Sequence, residues 1–145
     1  MLLLFFGLII FSGCQKDSGK SKDPEIIFTG LTGTEMRSGS SEDSIGIRFT
    51  LIDGDADLPG QDENGVFIYS KKKPTFVGHP YPPIPEQMLD PKNGIEAQIT
   101  LWVKAAFYID STGVPDTFNF DLYVVDAAGN KSNVITTADV VLLPE

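Results

Sequence analysis

Apolar and polar residues alternate one for one through three long stretches of the chain. Ile45, Ile47, Phe49 and Leu51 are interleaved with Ser44, Gly46, Arg48 and Thr50. Ile95, Ala97, Ile99, Leu101 and Val103 are interleaved with Glu96, Gln98, Thr100, Trp102 and Lys104, and Phe118, Phe120, Leu122 and Val124 with Asn119, Asp121 and Tyr123. A period of two sends neighbouring side chains to opposite faces of a strand, so each stretch predicts a strand with one face in a core and one in water. Weaker alternation predicts strands over 26–31, 66–70 and 134–142. No stretch keeps apolar residues at helical spacing over three turns. The chain reads as all-β.

Turn dipeptides mark the strand ends: Asp53-Gly54, Asn64-Gly65, Asn93-Gly94, Thr112-Gly113 and Gly129-Asn130. Six or seven strands so spaced predict an antiparallel two-sheet sandwich. One segment breaks the rhythm. Residues 71–93 contain Pro74, Pro80, Pro82, Pro83, Pro85 and Pro91. Those prolines remove backbone donors, so an insertion or edge crossover is expected there, with one helical turn over 85–90.

At the other end of the hydropathy range, residues 2–11 are almost wholly apolar and are followed by Ser12, Gly13 and the single cysteine, Cys14. About ten apolar residues are too few for a helix across a bilayer of roughly 30 Å, and fit the core of a signal peptide. The stretch Leu8-Ile9-Ile10-Phe11-Ser12-Gly13-Cys14 resembles the lipobox of bacterial lipoproteins. The resemblance implies lipid on the Cys14 thiol and cleavage before it. It divides the chain into a signal peptide (1–13), a lipidated flexible tether (14–24) rich in Ser, Gly, Lys and Asp, and a sandwich domain (25–145). Met1-Leu2-Leu3-Leu4 lacks the usual opening Lys or Arg, which leaves an earlier start open. Gln15 stands where an aspartate signals inner-membrane retention, and Lys16-Asp17 is similar to a charged surface-export tag. The expected location is therefore the bacterial outer membrane, with periplasmic or outward orientation left open. The alternative is a buried N-terminal strand with an incidental thiol.

Charge narrows the choice of partners. The formal net charge is −9, which disfavours nucleic acid, since phosphate binding needs clustered Lys and Arg, and favours divalent cations. With one cysteine, no disulfide can form within the chain.

The run Phe118-Asn119-Phe120-Asp121-Leu122-Tyr123-Val124-Val125-Asp126-Ala127-Ala128-Gly129-Asn130-Lys131-Ser132 resembles the last hairpin of immunoglobulin-like and fibronectin type III-like bacterial domains. Phe118 stands nearest the position of that family's corner tyrosine. The resemblance implies a sandwich of about seven strands, usually a module for binding, spacing or adhesion.

Asp53-Gly54-Asp55-Ala56-Asp57 is the sharpest chemical signal. Carboxylates at alternate positions of a loop can converge on one hard cation, and calcium tolerates such geometry. Leu58 and Asn64 stand where an EF-hand loop needs glycine and glutamate; the run is closer to the aspartate-rich turn of cadherin-like bacterial domains. In such a sandwich the loop after the second strand and the loop before the last emerge at one end, which would bring Asp126 and Asn130 to Asp53, Asp55 and Asp57. The alternative is an ordinary solvated turn. Exposed rings at Tyr69, Tyr123 and Trp102 offer stacking on sugar or a protein anchor, or else simply cover a sheet beneath the proline-rich segment. His79, the only histidine, stands between Gly78 and Pro80 and is expected in an exposed loop; no G-x-S-x-G frames a serine, and zinc lacks its His and Cys ligands. Lys71-Lys72-Lys73 reads as a solvated edge.

The expectation is a noncatalytic, membrane-anchored envelope lipoprotein, a binding, adhesion or structural module with calcium at the aspartates and an unidentified protein or glycan partner. The rival is a carbohydrate-binding or hydrolytic accessory of a glycan-utilisation system. A groove pairing Trp102 or Tyr123 with two carboxylates would favour the rival.

Overall fold

The computed structural model describes residues 19–145. The signal peptide and the tether up to residue 18, Cys14 included, lie outside the described residues. The chain is all-β: β1 (Glu25–Leu31), β2 (Glu35–Arg37), β3 (Ser44–Asp53), β4 (Asn64–Ser70), β5 (Lys73–Pro80), β6 (Ile95–Lys104), β7 (Asp116–Phe118), β8 (Asp121–Val124), β9 (Ile135–Thr136) and β10 (Val140–Leu143). Single 3-10 turns sit at Glu86–Met88 and Ala105–Phe107.

One sheet has the antiparallel order β1-β3-β6. Two further sheets have the orders β5-β4-β8-β9 and β7-β10-β2, and the chain passes from one to the other between β7 and β8 and between β9 and β10. Only Asn119 and Phe120 separate β7 from β8. The break is bridged on both sides of Phe120: its amide donates to Thr137 Oγ1 at 3.0 Å and its carbonyl accepts the Thr137 amide at 2.8 Å. Thr137 also lies in the break between β9 and β10, so the hydroxyl replaces a ladder bond where the strands bend. β10 closes the edge by pairing in parallel with β2.

The alternating rows set the core. Ile45, Ile47, Phe49 and Leu51 of β3 are at most 1% exposed, and they lie opposite Val103, Leu101, Ile99 and Ala97 of β6. Phe118, Phe120, Leu122 and Val124 are buried through the β7–β8 break, so the period of two survives the interruption. Tyr108 stacks on Phe118, with centroids 5.6 Å apart, and meets Phe120 edge-on. Arg48 and Gln98 point to solvent as alternation requires. Asp121, also on the outer row, is half-buried because Thr136 Oγ1 bonds its carboxylate at 2.6 Å.

Two strands go beyond the alternation. β2 has only three residues, too few to show a period. β5 arises inside the proline-rich segment, where irregular chain was expected; it pairs only with β4, so Pro74 and Pro80 withhold donors at an open edge. The helical turn expected over 85–90 is the 3-10 turn at Glu86–Met88.

Candidate metal centre

Both inward rows end in a carboxylate. On β3 the buried series Ile45, Ile47, Phe49, Leu51 continues to Asp53, which is 0% exposed; on β8 the series Phe118, Phe120, Leu122, Val124 continues to Asp126, at 3%. Each aspartate takes the next core-facing position after the apolar residues run out. The loop after β3 then adds Asp55 and Asp57, both half-buried. Between them Ala56 adopts a left-handed backbone, φ 54°, the only non-glycine to do so among the described residues. That sharp turn costs an L-residue energy and keeps both neighbouring side chains near the strand end.

Carboxylate oxygens of Asp53, Asp57 and Asp126 all lie within 4.8 Å of one another. Two oxygens on one calcium stand at most about 5 Å apart, twice the Ca–O bond, so these three can share an ion. Their own hydrogen bonding is incomplete. Asp53 Oδ1 accepts only a long bond from the Asp55 amide, 3.3 Å, and Asp53 Oδ2, Asp55 Oδ1 and Asp57 Oδ1 are buried with no partner. Asp126 is better held: Asn130 donates its amide at 2.7 Å and its Nδ2 at 2.8 Å, which closes the turn after β8 and aims the carboxylate. The Ala127 amide bonds the Asp57 carbonyl at 2.6 Å and ties the two loops together.

The electrostatics follow from burial. Loss of water pushes the Asp53 carboxyl up to about 6, with the neighbouring Asp55 and Asp57 charges adding to the rise. Asp57 is raised by burial and then by Asp126 and Asp55. Among the described residues, the one ammonium within 4 Å of any of the four aspartates is Lys22, 4.0 Å from Asp55 and itself largely solvated.

Two further pieces complete the site and were not legible beforehand. Tyr81, from the proline-rich segment, is 7% exposed and donates to the Val125 carbonyl at 3.4 Å; burial and then the Asp53, Asp126 and Asp57 charges raise its phenol above the ordinary range. A side chain at Gly65 would collide with the Tyr81 ring, so glycine is what lets that ring lie across β4. Ser21, expected in the flexible tether, accepts the Gly54 amide at 2.7 Å, while Lys20 bridges to Glu96 at 3.6 Å; the end of the tether thus lies against the aspartate loop.

The remaining candidates fall elsewhere. Tyr123 stacks on Phe67, and Phe76 of β5 meets both Tyr123 and Tyr69, so these two tyrosines belong to an aromatic cluster partly covered by the edge strand. Lys131 lies 3.6 Å from the Tyr123 ring centroid. Trp102 is 57% exposed at the rim of a cleft of about 320 Å³ between β5 and β6. His79 is half-buried on β5 and lines that cleft, contrary to the exposed loop expected for it. The lysine run is not uniformly solvated: Lys72 bridges Asp110 at 2.5 Å and Asp116 at 2.6 Å.

No protein-family model matches the chain, and neither a curated protein nor a solved structure does.

Proposed function

We propose that this chain is a noncatalytic envelope lipoprotein, an immunoglobulin-like binding or adhesion module whose strand-end aspartates hold one calcium ion. The observation that carries the metal reading is Asp53: fully buried, with Oδ2 unpartnered, and within 4.8 Å of Asp57 and Asp126 oxygens. Burying a carboxylate without a partner is costly, and the fold does so beside two more carboxylates. A hard divalent cation satisfies all three, with Asp55 as a further oxygen donor. Calcium there would tie β3 of one sheet to β8 of the other, which suits a module that must stay folded outside the cell. The immunoglobulin-like reading is supported by three strands packed against a larger sheet and by the hairpin at 118–132.

The lipid anchor rests on the lipobox-like run ending at Cys14. Labelled palmitate should enter the wild-type chain and not Cys14→Ser, because a hydroxyl does not replace the thiol as acceptor; equal labelling would end that part of the reading. Calorimetric titration of the full-length chain should give one calcium per chain, and Asp126→Asn should abolish it. Absence of saturable heat in the wild type would remove the metal.

The glycan-handling reading keeps one observation in its favour, Trp102 at a cleft rim. No Asp or Glu lines that cleft, so it does not offer the carboxylate pair a hydrolytic site needs.

A further inference from the structure

The cleft between β5 and β6 lies where the edges of the two sheets meet. Ile68 of β4 and Val103 of β6, buried residues of opposite sheets, reach its lining, so a ligand there would touch the core directly. Trp102, Phe107 and Val77 also line it and remain 57%, 58% and 40% exposed. Such a concentration of exposed apolar side chains around a concavity marks a binding site more often than scattered surface residues do. Its volume of about 320 Å³ is at the small end of ligand sites, roughly 300–1,000 Å³.

The charges at its rim set the ligand's chemistry. Lys73 and Lys104 both line the cleft, and neither has a carboxylate within 4 Å among the described residues. Most cations of the described residues are likewise without a carboxylate, so it is the placement of these two at an apolar cleft lined by no Asp or Glu that matters. Lys73 Nζ instead lies 5.1 Å from the Phe107 ring centroid and 5.8 Å from that of Tyr108, held over the aromatic wall. His79 beside it is kept below its ordinary range by burial and then by the Lys73 charge, so near neutral pH it can offer a hydrogen bond without adding charge.

We propose that this cleft binds a small amphiphilic carboxylate, with its apolar body against Ile68, Val103 and Trp102 and its head group at Lys73 and Lys104. The inference goes beyond the calcium reading and does not depend on it, since none of the strand-end aspartates lines the cleft.

Trp102 is the single tryptophan, so its fluorescence reports on the cleft alone. Three ligands sharing one apolar body separate the contributions: phenylbutyrate, phenylbutyramide and phenylbutylamine, each titrated into the full-length chain with EGTA present. Phenylbutyrate should give a saturable change, bind roughly fivefold more tightly than the amide for each lysine engaged, and lose that margin in Lys73→Gln/Lys104→Gln. The amine should bind most weakly. No saturable response to phenylbutyrate, or equal affinity for the three head groups, would overturn the proposal. So would a Trp102 response to a neutral glucan oligosaccharide without one to phenylbutyrate, a result that favours glycan binding. If the double variant fails to fold, the head-group series on the wild type decides the question.

Discussion

Asp110 and Asp53 are both withdrawn from water, at 9% and 0% exposure, yet the chain treats them in opposite ways. Asp110 receives Lys72 at 2.5 Å on one oxygen, and the Thr112 amide at 2.8 Å and hydroxyl at 2.6 Å on the other. Those donors hold its carboxyl well below the usual carboxylate range. Asp53 receives one long amide bond and three carboxylate neighbours, and its carboxyl rises. The fold can therefore furnish donors for a buried carboxylate where its own stability requires them. At the strand ends it gathers more acceptors instead, the arrangement that a cation completes.

The contrast depends first on the register that brings Asp126 to Asp53. Phe120→Ala, in the row that ends at Asp126, should cost about 3–5 kcal/mol in denaturant unfolding. A loss well under 1 kcal/mol would show that this row does not face the core. Next in size is linkage to the ion. Calcium at a hundred times its dissociation constant should add about 2.7 kcal/mol to stability in EGTA-referenced melts, and magnesium should add less because it demands tighter octahedral geometry.

Acidity probes the two aspartates with opposite sign. Asp53 is raised in the folded state, so its contribution is fully present below the unfolded value of 3.8 and fades as pH rises through about 6. Lowering the pH from 7 to about 4.5 in EGTA should thus stabilise the chain by about 2 kcal/mol. Asp110 is lowered, so its contribution is present above the ordinary aspartate range and is lost only in stronger acid. A calcium-free chain that loses stability steadily from pH 7 downward would contradict the contrast. The smallest effect is the substitution pair. Asp53→Asn should raise metal-free stability by about 1 kcal/mol, and Asp110→Asn should lower stability. Equal signs would mean that the two sites are alike.

Much of this was legible from alternation, and the aspartates more so than their loop composition suggested. Asp53-Gly54-Asp55-Ala56-Asp57 alone does not separate a metal loop from a solvated turn. Parity does: counting by twos from Ile45 reaches Asp53, and from Phe118 reaches Asp126, and both lie on the core face. Tyr81 and Ser21 had no such signal. Their positions arise from tertiary placement of a proline-rich crossover and a tether, segments without a period. β5 was hidden for a related reason, since a strand at an open edge tolerates the prolines that would disrupt a central one. The cleft was illegible because it is a gap between two sheet edges, and period-two patterns describe faces.

Terbium luminescence tests the central claim most directly, because Tyr81 is placed beside the aspartates to act as a sensitiser. Terbium added to the full-length chain should give tyrosine-excited emission that calcium displaces at one site per chain. Asp53→Asn and Asp126→Asn should each abolish that emission, while Tyr81→Phe should weaken it and leave calcium binding in place. Emission absent from the wild type, or unchanged by both aspartate substitutions, would contradict a calcium ion held where the two inward rows end.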